Sequence, residues 1–342
     1  MRLKMPPQIS QAPAFWGLHA LVATHLTALL FSLVSHSVIQ AQTTNATSVQ
    51  QKQQDSEKVY VPIAWKKGDV RRYKVTTKSG TETKNGIEWN SVVEKEIQFE
   101  VTGESKQSLF VQWKLELNKT PSPNQMTKRI AEIYKGVVIK TEVGRDGVFK
   151  TMTNWDEVNQ ANRKLKALTQ EILDDVDVAE SVKQTVWKQA MAQAGTREAI
   201  EAKMTENLTA ILTMTGSEFD TLSPETYETE MATAMYVLPA VETYSVESID
   251  RKSGRILIKW TQHADKQKSP GIIERRATEL MKQQGKPGPP AGAFNGYVAE
   301  QEATYDYELN TGWARKITNI TRAGLPAKLN VRHIVTEQIE TK

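Results

Sequence analysis

The stretch Val93–Leu117, VEKEIQFEVTGESKQSLFVQWKLEL, decides the fold class. Val93, Ile97, Phe99 and Val101 alternate with Glu94, Glu96, Gln98 and Glu100, and Lys95 is the one polar residue in the apolar set. Leu109, Val111, Trp113, Leu115 and Leu117 repeat the pattern. A period of two puts successive side chains on opposite faces, so each run predicts a strand with one buried face. The turn Gly103–Gln107 between them predicts a hairpin.

Working outward, Val70–Thr77 reads as a strand before this hairpin. Val137–Val143 and Gly147–Lys150 continue the sheet after it, around the turn Gly144–Gly147. At Asn154 the period changes. Asn154 with Glu157 has the spacing of a capping box, and Val158, Leu165, Leu168, Ile172 and Leu173 recur at helical intervals. Asp177 with Glu180 opens a second helix through Ala194. Gly195 ends it, and Thr196 caps a third that runs to about Met214. Residues 224–238 fit either period; Thr, Tyr and Val tip the reading to a strand that Pro239 ends. Glu242–Asp250 and Arg255–Gln262 read as strands, Ile272–Gln284 as an amphipathic helix and Gly285–Gly296 as a Pro/Gly-rich loop. Tyr297–Leu309, Trp313–Ala323 and Leu329–Ile339 close the chain as strands. Strands, then helices, then strands give an α+β fold. The expectation is an antiparallel sheet built from both halves of the chain, with a central three-helix block packed on one face. Residues 58–342 are expected to form a single domain, with the helical insertion at about 154–214.

The start of the chain carries Arg2 and Lys4, then the apolar run Ala14–Val34, then a polar exit ending at Ala41. That order predicts a secretory signal peptide over 1–41, with periplasmic or secreted localisation in a bacterium. An uncleaved anchor is the alternative, since the run is long enough to span a bilayer; His19, Thr24, His25 and Thr27 lower its hydrophobicity. Residues 42–57, polar and Gln-rich, read as a disordered linker. No later segment is apolar for long enough to cross a membrane as a helix.

Removal of 1–41 leaves 42 of the 44 basic residues against 40 acidic ones, a balance that gives no field for nucleic acid. The absence of cysteine removes disulfides and thiol nucleophiles, so the fold must rest on its hydrophobic core. His263 and His333 are the histidines left after cleavage. No nucleophile elbow, His-Glu-x-x-His sequence or phosphate-binding glycine loop occurs. His263 with Asp265, following the buried-face strand that ends at Trp260, is the best constellation, read as a metal ligand or general base, and Trp260 joins the two as a candidate ligand-site residue; the competing reading is a solvated polar strand end. His333, on the Leu329–Val331–Val335 face, reads as a packed core or rim histidine. Asp174, Asp175 and Asp177 lack the glycine and distal glutamate of a calcium loop, and helix capping by Asp177 accounts for them. The tryptophans after residue 41 lie mostly on alternating apolar faces and are expected in the core. No catalytic residue, cofactor or metal is assigned.

Gly144–Asp156 (GRDGVFKTMTNWD), Tyr236–Pro239 leading into SVESID and LIKWTQHAD, and Tyr307–Trp313 (YELNTGW) occur in an order that resembles exported bacterial envelope proteins of unknown function. The resemblance implies an envelope setting and brings no activity. The function expected is non-catalytic binding of an apolar small molecule or a protein partner, with Gly285–Gly296 as a mobile lid. The alternatives are an exported hydrolase using Asp/Glu or metal chemistry near His263, and a structural or assembly component.

Overall fold

The computed structural model describes residues 57–114, 125–177, 180–233, 237–283 and 287–340. The signal peptide and almost all of the linker expected over 1–57 lie outside these residues, as do Leu115 and Leu117. The strands are β1 (Lys58–Tyr60), β2 (Val70–Thr83), β3 (Gly86–Glu104), β4 (Ser108–Lys114), β5 (Val138–Gly144), β6 (Phe149–Met152), β7 (Glu218–Asp220), β8 (Glu225–Ala232), β9 (Val237–Asp250), β10 (Arg255–Ala264), β11 (Val298–Glu308), β12 (Ala314–Leu325) and β13 (Lys328–Ile339). The helices are α1 (Gln125–Tyr134), α2 (Trp155–Asp175), α3 (Glu180–Ala194), α4 (Arg197–Leu212) and α5 (Ser269–Gln283).

Eleven strands form one antiparallel sheet in the order β6-β5-β4-β3-β2-β13-β12-β11-β10-β9-β8, while β1 and β7 pair separately. Sequence neighbours are sheet neighbours throughout, except at the centre, where β2 pairs with β13. Both halves of the chain therefore contribute to a mostly antiparallel structure with helices. The helices are more widely spread than the period change alone foresees, since α1 precedes β5 and α5 joins β10 to β11. Residues 166–203 form a compact unit of their own, and the rest of the described chain forms a second.

In this second unit one face of the large sheet carries the core and is called the inner face below. Tyr73, Val75, Ile97, Phe99, Val111, Trp113, Ile139, Ile258, Trp260, Tyr305 and Ile317 all lie on it and are buried. The end of α4 is tied to this face: the Tyr307 hydroxyl donates to the Ile211 carbonyl at 2.7 Å. Farther along the face, Ile273 of α5 packs on Met231, Leu238, Ala240, Ala264 and Ala299, joined by Phe294 and Tyr297 of the Pro/Gly-rich loop. Alanines in those strands leave room for the helix to approach.

Three turns meet at the other end. Val61 exchanges backbone bonds with Gly216 and Ser217, and Ala64 N donates to the Thr311 carbonyl. This seats Trp65 flat against Trp313, with centroids 3.6 Å apart and planes within 2°. Both indoles are fully buried. A β-carbon on Gly312 would strike the Pro62 carbonyl oxygen, and one on Gly216 the Asp146 carbonyl oxygen; both glycines have positive φ. The short sequences Gly144–Gly147 and Thr311–Trp313, far apart in the chain, thus belong to one junction.

Candidate functional site

The three residues singled out in the sequence do not converge. His263 and Trp260 are three apart on β10, an odd spacing that puts them on opposite faces. His263 is on the outer face with its side chain about half exposed, Nδ1 3.6 Å from Glu300. Trp260 is buried on the inner face, and its Nε1 donates to Glu242 at 3.3 Å. Asp265 stabilises the entry to α5: its Oδ1 accepts from the backbone N–H of Gln267 at 2.8 Å and of Lys268 at 3.0 Å. Those two bonds hold its carboxyl below the usual range. Among the described residues no group of three or more His, Asp or Glu could hold a metal ion.

The outer face is a lattice of cross-strand ion pairs. Arg322 bonds Glu82 at 2.8 Å and Glu300 at 3.5 Å, Lys259 meets Glu302 at 3.0 Å, and Lys74 meets Glu94 at 2.9 Å. Exposed pairs of this kind contribute only about 0–1 kcal/mol each, so they keep the face soluble more than they hold it together. One patch departs from the pattern. Val331, 2 % exposed, lies in register with Gly80 and Trp89. His333 sits 6.2 Å from the Trp89 ring, and burial together with Lys78 pushes its pKa down.

The inner face holds the less expected feature. On β13 the alternate set Leu329, Val331 and Val335 faces outward, while Asn330, Arg332, Thr336 and Gln338 face inward with Ile334. Arg332 lies in register with Thr321 on β12 and Ser79 on β2. Following the pairings further gives Gln301, Gln262 and Glu242 on one side and Ser91 on the other. One row of polar side chains therefore crosses seven strands on the core-bearing face. Within the row Gln262 is buried, Ser91 is exposed and the others are half-buried. Next to it runs the row Tyr244, Trp260, Ala303, Asn319, Ile334 and Thr77, which adds apolar side chains beside the polar row without being wholly apolar.

No family model matches this chain. No curated protein matches it either. The chemistry must be argued from the row itself.

At one end of the row, burial pushes the Glu242 carboxyl pKa up, partly offset by its hydrogen bonds with Trp260 and Tyr244. Burial and the Glu242 charge likewise push the Tyr244 hydroxyl up. A carboxyl with a raised folded-state pKa contributes stability that is fully present below its unfolded value, about 4.3, and is lost as pH rises through the folded value. Glu242→Gln removes that loss. Its stability relative to the parent chain is expected to increase from about pH 4 to pH 7 in urea titrations. A constant difference over this range would show that Glu242 is not desolvated.

In the middle of the row the Arg332 Nη1 is buried without a hydrogen-bond partner among the described residues. Burial lowers its pKa, and the charge of Glu206 on α4 acts in the opposite direction. Glu206 is also within 3.8 Å of the Lys95 ammonium. Sequence reading missed Arg332. The available signal was the alternation of β13, whose apolar set was the natural choice for the core.

Proposed function

We propose that this chain is an exported, non-catalytic binding protein whose small-molecule ligand lies along the polar row of the inner face. The observation that carries the reading is the inverted orientation of β13. Leu329, Val331 and Val335 were available for the core, and a shift of one residue in register would have turned them inward. The chain instead turns Arg332, Thr336 and Gln338 inward, against the burial cost of polar groups, with the exposed Asn330 at the end of the same set. Departures from local consistency of this kind collect at functional sites. The apolar side chains Trp260, Ala303 and Ile334 of the adjoining row and the half-burial of Arg332, Thr321, Gln301 and Ser79 fit an amphiphilic ligand bound on a sheet floor. In this reading the end of α4 and the α5 segment with Phe294 and Tyr297 bound the floor on its two sides, and export comes from the signal peptide expected over 1–41.

The test is native mass spectrometry of the full chain purified gently from its own envelope fraction, beside the same sample denatured. A discrete extra mass lost on denaturation is expected, on a chain beginning at Gln42. A bare chain under native conditions would sink the ligand reading and redirect the search to protein partners.

A further inference from the structure

We infer that the ligand is anionic and that its charged group binds Arg332; this rests on the binding-protein reading above. Arg332 offers a planar fork of donors, and its Nη1 is buried without an acceptor among the described residues. An unmet buried donor costs far more than a met one gains, and a charged donor costs most. The in-register neighbours Thr321 and Ser79 bring a hydroxyl onto each adjacent strand, at the roughly 4.8 Å strand spacing, and the Thr321 hydroxyl bonds Asn319 Oδ1 at 3.3 Å. The guanidinium fork itself suits a carboxylate or phosphate, whose oxygens accept its donors in pairs.

Glu206 acts on Arg332 from α4 and also lies 3.8 Å from the Lys95 ammonium, so it is not committed to Arg332 alone. Ile334, next on the inner face of β13, shares its row with Ala303 and Trp260, and these give the uncharged part of the ligand a place to lie beside Asn319 and Thr77. A single-chain amphiphile with an acidic head meets both requirements.

The test uses the full chain with three probes of similar chain length: palmitate, hexadecanol and 1-palmitoyl lysophosphatidate, each followed by calorimetry. The parent chain is expected to bind at least one anionic probe more tightly than hexadecanol, and the better of the two tells carboxylate from phosphate. Arg332→Met keeps the length of the side chain and removes the charge. It is expected to weaken the preferred anionic probe by about 10- to 100-fold and to leave hexadecanol within about threefold. Arg332→Lys, which keeps the charge without the fork, is expected to fall between. Thermal unfolding of both variants checks that the fold is retained. Equal affinity for all three probes, or an anion preference that survives in Arg332→Met, would overturn the headgroup assignment and leave the binding reading standing. No binding of any probe by the parent chain would count against the binding reading itself.

Discussion

Gly312→Ala is expected to lower unfolding free energy by about 3–5 kcal/mol, read as a shift of the urea midpoint at unchanged slope. Gly312 has φ +74, where an L-residue pays roughly 1–2 kcal/mol. The larger cost is steric. The added methyl would meet the Pro62 carbonyl oxygen, a backbone atom that no rotamer change can move aside. Pro62 could retreat only by breaking the bonds from Ala64 N to Thr311 and between Val61 and Ser217. Each is worth about 1 kcal/mol. Gly254→Ala supplies the control. Gly254 also has positive φ, +65, but a β-carbon there meets nothing within 4 Å. It should cost only the backbone part, about 1 kcal/mol. Equal losses in the two variants would show that the approach of Pro62 to Gly312 is not tight.

Trp313→Ala is expected to cost about 3–5 kcal/mol, the usual range for removing a large buried aromatic ring. Loss of the stack on Trp65 is part of this, about 0.5–1.5 kcal/mol beyond area burial. Arg71, whose guanidinium carbon lies 5.5 Å from the Trp313 centroid, loses a cation–π partner as well. A double-mutant cycle with Trp65→Ala should give a coupling of about 0.5–3 kcal/mol, because each ring forms one wall of the other's site. Trp313→Phe makes a sharper comparison. The Nε1 atoms of Trp65 and Trp313 are buried without acceptors among the described residues. Phenylalanine removes one such donor, and that gain offsets part of the lost volume. The loss should therefore fall to about 1–2 kcal/mol. A phenylalanine variant as unstable as the alanine one would mean that the indole N–H is satisfied after all.

The large sheet was legible wherever one strand face was wet and the other dry. Ile97, Phe99 and Val101 lie inward as their alternation predicts, and Lys95 lies inward too, where it meets Glu206. The period could not show how far β2 and β3 extend. Residues 84–94 are exposed, so Thr81, Glu82, Glu88 and Asn90 carry no contrast between faces. The turn signal was nevertheless present, since Asn85–Gly86 closes this hairpin and Gly86 has φ +109. Residues 225–232 form β8, as the Thr and Tyr content suggested, but Pro239 does not end the run: it lies inside β9 opposite Glu230, and residues 234–236 lie outside the described residues. The helix Gln125–Tyr134 went unread because the buried positions among its described side chains, Ile130 and Tyr134, lie in a mostly polar stretch. The candidate site was the least legible part. A hydrophobic period assigns apolar residues to the core, so it points away from Arg332 on a strand that reverses the rule. It also drew notice to His263, which the pleat sets on the outer face, and to Asp265, which is taken up in capping the entry to α5.

The seam between β2 and β13 has a kinetic meaning. Every other pairing in the large sheet joins strands that are neighbours along the chain. At the seam the Tyr73 hydroxyl reaches the Ala314 carbonyl across 241 residues. Closing a loop of that length costs roughly 5 kcal/mol of chain entropy before any contact returns it. Local hairpins on either side avoid that cost and form early, whereas the seam demands the most distant encounter in the molecule. Until it closes, each half-sheet presents a raw edge of unpaired N–H and C=O groups, open to the wrong partner. The barrier to folding and the danger of aggregation therefore coincide in one strand pair at the centre of the sheet.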